Sequence, residues 1–96
     1  MVSRRKLNDD EITALVETIP GWSFANGRLR TEFATGNFKN GINLINQIGK
    51  LADELNHHPD IYLSYRKVVV ETYTHDVGGI TEFDFELAKG ISGLVE

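Results

Sequence analysis

Residues 21–33, which read GWSFANGRLRTEF, decide how this chain folds. The dipeptide Asn26-Gly27 at their centre is the strongest local signal for a two-residue turn between antiparallel strands, because both positions of that turn need a positive φ. After the turn, charged residues occupy every second position, with Leu, Thr and Phe between them. This alternation is typical of a strand with one buried face. The stretch therefore predicts a β-hairpin that turns one face to the core.

Helices are predicted on both sides of this hairpin. Upstream, Asn8 and Glu11 have the spacing of a capping box, and Pro20-Gly21 ends the helix that they begin. Downstream, Asn37 can cap a long helix with a wide apolar face. The apolar residues of that helix are Phe38, Ile42, Leu44, Ile45, Ile48, Leu51, Ala52 and Leu55. A face this wide predicts packing against the sheet on one side and against another subunit on the other.

A second pair of strands and a third helix complete the pattern. Residues 61–65 and 67–73 are rich in Ile, Tyr and Val, which favours strands. Gly78-Gly79 then opens a loop, and the last helix starts at Thr81. Hairpin links within each strand pair predict an α+β fold of order α-β-β-α-β-β-α. This fold is a four-stranded antiparallel sheet with three helices on one face.

Length and composition fit a single domain over residues 1–96. The net charge of −4 argues against a broad electrostatic grip on nucleic acid. The absence of cysteine excludes disulfides, thiolate zinc sites and a cysteine nucleophile. No apolar run approaches the ~20 residues of a membrane helix, so the cytoplasm is the expected location. Arg4, Arg5 and Lys6 are expected to form a solvated tail.

The chain's three histidines are its best candidates for proton transfer, because histidine titrates near neutral pH. Asp53 lies four residues before His57, so a helix that continued this far would bring the carboxylate to the His57 ring and fix its tautomer. Pro59 favours an extended backbone at His58, which predicts that the two neighbouring rings point in different directions. His75 follows a predicted strand and should meet the other two where helix and strand ends converge.

Purely structural roles for these residues stay open. Histidines at the end of a helix interact favourably with its dipole and its last carbonyl groups without any catalysis. Asp84 is the third residue after Thr81 and can cap the last helix, a role that is compatible with one in catalysis. A metal site is not expected, because the adjacent side chains of His57 and His58 seldom point at one ion. The tyrosines most simply occupy strands: Tyr62, Tyr65 and Tyr73.

The spacing of these polar residues resembles the signature of the pterin-4a-carbinolamine dehydratase family. The matching residues are Asp53, His57, His58, Pro59, Tyr65, His75 and Asp84. Residues 74–81 also resemble that family's Thr-His, Gly-rich segment, and the likeness spans about residues 10–95. Asp53 departs from the glutamate that is common in the family, and its shorter side chain has less reach toward His57.

The resemblance implies the fold expected above, assembled as a homodimer or homotetramer, and it implies a reaction. That reaction is the loss of water from 4a-hydroxytetrahydropterin to give quinonoid dihydropterin, which recycles the pterin cofactor of aromatic amino-acid hydroxylation without a metal or further cofactor. The implied catalytic residues are His57, His58, His75 and Asp84. The implied substrate-binding residues are Asp53, His58, Pro59 and Tyr65. Acid–base work falls to His57 and His75, chiefly binding to His58, and support of a histidine to Asp84.

Two other functions stay open. Some members of the family act as dimerisation cofactors that bind a helical segment of a transcription factor. For this chain, no direct contact with nucleic acid and no membrane partner are expected. The apolar face for such a partner could come from Leu44, Ile48, Leu51 and Leu55. A contact between copies of this chain through the same face is the preferred interpretation. The other alternative is a pterin-like ligand of molybdopterin type.

Overall fold

The computed structural model describes residues 4–95 and confirms the expected α+β fold. The helices are α1 (Asp9–Val16), α2 (Phe38–Leu55) and α3 (Glu82–Val95). The strands are β1 (Ser23–Ala25), β2 (Arg28–Ala34), β3 (Asp60–Leu63) and β4 (Lys67–Thr72). A short 3₁₀ helix, His75–Val77, lies between β4 and α3. None of the helices in residues 4–95 is both long and apolar enough to cross a membrane.

The turn and capping signals act as predicted. Asn26 and Gly27 adopt φ angles of 54° and 77° and join β1 to β2. The Glu11 N–H donates to the Asn8 side chain at 2.9 Å, and the Asn8 N–H donates to the Glu11 carboxylate at 3.0 Å, so the capping box is complete. Asn37 caps α2 in the same way through its side-chain oxygen. Short-range patterns therefore fix where these elements begin.

The four strands are antiparallel throughout and lie in the order β1-β2-β4-β3. The pairing of Leu29 with Thr72 sets the register of the two central strands. One face of the sheet carries the helices, and a single core lies between the two layers. Fully buried members of that core are Leu29, Ile48, Val68, Val70, Leu87 and Ile91. The second strand pair is shorter than predicted, because residues 64–66 form the turn between β3 and β4.

Helix α2 presents a different apolar surface from the predicted one. Leu44 and Ile48 are 7% and 0% exposed, because they face the sheet, so they cannot contact a partner. Leu51 and Leu55 are partly buried against the same core. The exposed large apolar residues of α2 are Phe38 and Ile42. The most exposed large apolar side chains of α2 therefore lie in the N-terminal half of the helix.

Candidate active site

A cavity of about 370 Å³ opens where the end of α2 approaches the end of β4. Its lining comes from residues 56–60, which follow α2, from residues 73–76, which follow β4, and from Arg4. The volume falls within the usual range for small-molecule sites, about 300–1,000 Å³. All three histidines of the chain are among the lining residues, so the fold brings them to one place.

The end of α2 determines where His57 points. Asn56 adopts a left-handed conformation with φ of 52°, and its N–H donates to the carbonyls of Ala52 and Asp53. The N–H of His57 also donates to the Ala52 carbonyl, at 3.0 Å, which closes the helix as a Schellman motif. The chain therefore turns at Asn56, and His57 leaves the helix surface.

His57 is buried beside an aspartate that is distant in sequence. The residue is 8% exposed, and its Nε2 lies 2.6 Å from Oδ1 of Asp84, in the first turn of α3. The prediction that Asp53 orients His57 is wrong, because the turn at Asn56 ends the helix before the required spacing is reached. Asp53 pairs with His58 instead, with 2.9 Å between Oδ1 and Nε2, and both side chains are exposed. Exposed pairs of this kind contribute little stability.

Asp84 is fully buried and is held by a network of threonines. Its Oδ1 accepts from the Thr72 hydroxyl at 2.6 Å, and its Oδ2 accepts from the Thr74 hydroxyl at 2.8 Å and from the Thr81 N–H at 3.0 Å. The Thr81 hydroxyl lies 2.8 Å from that of Thr74 and supplies its proton, because the Thr74 proton is already used on Asp84. A buried carboxylate needs such donors. Asp84 thus caps α3 and holds a histidine at once.

The threonine network was not predicted, although Thr72 carries a signal for it in the sequence. Thr72 continues the inner-face alternation of Val68 and Val70 along β4. A polar residue at a buried strand position needs a hydrogen-bond partner, so this break in an apolar series indicates a buried polar network. Its partner, Asp84, lies twelve residues further along the chain.

His75 also lines the cavity. It is exposed, as the first residue of the 3₁₀ helix, and its ring centroid lies 4.2 Å from that of Tyr73, with 49° between the ring planes. The Thr74 N–H donates to the Gly79 carbonyl at 2.7 Å and closes the loop that carries His75. The loop is therefore anchored beside the Asp84 network.

The remaining predicted residues do not all reach the cavity. His58 and Pro59 line it, and Asp53 contacts it only through His58. Tyr65 lies in the turn between β3 and β4, is 63% exposed, and has the Arg66 Cζ 5.4 Å from its ring centroid. A substrate-binding role for Tyr65 stays a prediction.

Six lining residues were not predicted to belong to the site: Arg4, Asn56, Asp60, Tyr73, Thr74 and Asp76. Arg4 belongs to the segment that was expected to be a solvated tail. Its Cζ lies 5.0 Å from the Phe83 ring centroid, and its Nη1 lies 3.1 Å from Oδ2 of Asp76. Local sequence gives no signal for this position, because the ion pair joins residues 72 apart.

The fold and this cavity define a small α+β protein with three histidines around one cavity of the size of a small-molecule site. Residues 5–94 match the family model described as Pterin 4 alpha carbinolamine dehydratase. The chain belongs to this family.

Relatives agree with this assignment, and a solved structure shares the fold. A provisionally named pterin-4-alpha-carbinolamine dehydratase of Aquifex aeolicus is 44% identical over 92 residues, covering 96% of this chain and 93% of that protein. A provisionally named counterpart from Sulfolobus acidocaldarius is 44% identical over 89 residues, covering 93% of this chain and 98% of that protein. The crystal structure of a transcriptional coactivator/pterin dehydratase from Brucella melitensis has the same fold. Its TM-score is 0.91 at 23% identity, covering 96% of this chain and 100% of that one.

Proposed function

We propose that this protein dehydrates 4a-hydroxytetrahydropterin to quinonoid dihydropterin and water, as a step of pterin recycling. Membership of the family supports the substrate class. The observation that carries the proposal is the pairing of His57 with the buried Asp84 at 2.6 Å, beside a cavity that His75 also lines. A histidine with one nitrogen occupied by a buried carboxylate has the arrangement of an oriented acid–base group.

The reaction needs two proton transfers. The bond between C4a and the hydroxyl oxygen breaks, the departing oxygen takes up a proton, and a nitrogen-bound proton of the pterin is lost. Groups that titrate near neutrality serve both needs, and the ordinary pKa of histidine is about 6.5. General acid–base catalysis of this kind contributes roughly 10²–10⁴-fold.

The two acid–base groups would be His57 and His75. Asp84 already accepts hydrogen bonds from two hydroxyls and a backbone N–H, so as a carboxylate it also accepts the Nε2–H of His57. This tautomer leaves Nδ1 of His57 to exchange a proton with substrate. His75, which also lines the cavity, would exchange the second proton. Asp84 would then be a positioning residue, because it acts through His57.

His58 and Pro59 would contribute mainly to binding. His58 is exposed at the rim of the cavity, with one ring nitrogen held by Asp53. Pro59 gives this rim a fixed backbone angle. A side chain that contacts substrate and transition state equally lowers KM without raising kcat.

The direct test is stopped-flow ultraviolet absorbance of freshly made 4a-hydroxytetrahydropterin, with and without the protein. We expect the protein to accelerate dehydration above the spontaneous rate. Equal acceleration before and after exhaustive EDTA treatment is expected as well, since no three His, Asp or Glu side chains in residues 4–95 form a metal-binding group. A rate equal to that of buffer alone contradicts the proposed activity, and a loss restored by zinc contradicts the metal-free mechanism.

A second candidate function is the binding of a helical protein partner. The observation that favours it is the exposure of Phe38 and Ile42 on α2, 47% and 41% respectively. The Brucella melitensis protein of the same fold is described as a transcriptional coactivator as well as a pterin dehydratase. A second copy of this chain is the simpler occupant of this surface, because a domain of this size has a modest core of its own.

A further inference from the structure

The three histidines of the cavity are held in three different ways. His57 is buried and hydrogen-bonded to Asp84, and His58 is hydrogen-bonded to Asp53. Within residues 4–95, the ring nitrogens of His75 have no hydrogen-bond partner, and its ring packs on that of Tyr73. An exposed imidazole with no hydrogen bond rotates about its side-chain bonds unless packing restrains it. The orientation of His75 therefore depends on Tyr73.

Tyr73 is itself held by a charged pair on the outer face of the sheet. The pairing of Leu29 with Thr72 brings Arg28 opposite Tyr73, and the Arg28 Cζ lies 4.0 Å from the Tyr73 ring centroid. This distance is well inside the ~6 Å limit of a cation–π contact. The Arg28 Nη1 in turn lies 3.3 Å from Oδ2 of Asp60.

This row of contacts joins the two chain segments that line the cavity. Asp60 directly follows the segment His57-His58-Pro59, and His75 closes the row at the other end. Arg28 and Asp60 are the first residues of β2 and β3, and Tyr73 directly follows β4, so the row lies along the ends of three neighbouring strands.

We infer that Tyr73 and Arg28 are positioning residues for His75: the Tyr73 ring, braced by Arg28, holds the His75 imidazole in the orientation that proton transfer requires. The inference rests on the proposed dehydration, because that reaction is where the orientation of His75 matters. Displacement of a catalytic group by about 1 Å lowers the reaction rate by up to about 100-fold. Loss of the Tyr73 ring should therefore lower kcat roughly 10- to 100-fold with little change in KM.

The test compares variants that keep or remove the aromatic ring. Tyr73→Phe keeps the ring and loses only the hydroxyl, whereas Tyr73→Thr removes the ring. Arg28→Gln removes the cation but keeps tyrosine at position 73. Matched controls are Tyr62→Thr and Arg30→Gln, which change the same residue types on neighbouring strands outside the cavity.

Two measurements separate the inference from the proposed function. The first is the NMR chemical shift of the His75 ring protons, identified by their absence in His75→Ala. We expect these protons to be displaced by the ring current of Tyr73 in the wild type and in Tyr73→Phe, and to return to ordinary histidine values in Tyr73→Thr. The second is kcat and KM for dehydration, with Tyr73→Phe near the wild type, Arg28→Gln intermediate and both controls unchanged.

Three results would overturn the inference. One is a chemical shift of the His75 ring protons that already has the ordinary value for histidine in the wild-type protein. Another is full kcat in Tyr73→Thr, and the third is an equal loss in Tyr62→Thr. If the wild-type protein proves inactive, the proposed function fails, and the chemical shifts alone decide whether Tyr73 orients His75. If Tyr73→Thr fails to fold, the Arg28→Gln variant tests the inference instead. Chemical shifts of the His75 ring protons and a kcat that are both unchanged in this variant count against the inference.

Discussion

At the scale of single residues, the site depends on how each histidine is oriented. His57→Ala and His75→Ala should each lower kcat by roughly 10²–10⁴-fold, because each removes one proton-transfer group. His58→Ala should act mainly on KM. The double variant at His57 and His75 should lose less than the product of the single losses, since groups that act as one unit are not additive. Steady-state kinetics on the pterin substrate provides the measurement.

Thermal unfolding is the control for these variants. His57→Ala should cost about 1–3 kcal/mol, because it leaves the buried Asp84 without one of its hydrogen-bond partners. His75→Ala and His58→Ala should cost little, since both side chains are exposed. Wild-type turnover in all three variants would make the histidines structural and would favour the protein-binding function.

The pairing of these residues was only partly predictable from sequence. The spacing and the family resemblance predicted a common site for His57, His75 and Asp84, but Asp53 was the wrong partner for His57. A single left-handed residue, Asn56, redirects the chain at the end of α2. Asparagine is one of the few residues that adopts this conformation readily, yet it also occurs within helices, so the local sequence did not reveal the turn. Contacts across 27 residues, such as that of His57 with Asp84, depend on the packing of α3.

At the scale of elements, the end of α2 can be tested directly. Asn56→Gly should keep or slightly raise stability, because glycine adopts a positive φ without steric cost. Asn56→Ala should lower stability by roughly 1–2 kcal/mol, since a Cβ in the left-handed region is unfavourable. Denaturant unfolding measures both. Equal stability of the two variants would show that Asn56 leaves this conformation at little cost.

The start of α1 carries a pH-dependent contribution. Hydrogen bonds from Arg5 and from the Asn8 N–H lower the pKa of Glu11 from 4.5 to about 2. A lowered pKa in the folded state means that the stabilisation is present above pH ~4.5 and is lost as the pH falls toward about 2.

Glu11→Gln should therefore lower Tm at pH 6, and the difference from wild type should shrink steadily between pH 4.5 and 2. Thermal melts across this range check it. Glu86→Gln, at an exposed position of α3, is the matched control and should show a smaller difference. A difference between wild type and Glu11→Gln that does not depend on pH would contradict a charge-based role for Glu11.

The local character of the signals that begin and end these elements explains why the fold was easier to predict than the site. Asn26-Gly27, the Asn8–Glu11 box and the Asn37 cap act within a few residues, and each agrees with the final topology. It was harder to predict which side chains of α2 face the sheet, because the apolar face of the helix is wider than the sheet requires. Burial of Leu44 and Ile48 follows from where the sheet lies.

At the scale of the whole molecule, the prediction concerns assembly. The expected dimer or tetramer needs an exposed apolar surface, and on α2 that surface consists of Phe38 and Ile42. Leu51 is a poor probe of it, because it packs on α3 within the chain and its replacement by a charge would destabilise the monomer. Ile42 is exposed in the single chain, so a charge there is costly only when a partner covers it.

Light scattering at micromolar concentration should therefore give a mass above the 10.8 kDa of one chain for the wild type. Ile42→Glu should give the mass of the monomer, because burying an unpaired charge in the contact is unfavourable. The Tm of the variant, measured alongside, confirms that it is folded. Gln47→Glu adds the same charge five residues further along, about 140° around the helix, and should leave the assembly intact. A wild-type mass of one chain would contradict assembly at this concentration. If the Ile42→Glu variant stays assembled, the contact between copies must lie on another surface. Phe38 and Ile42 would then be available to a different protein.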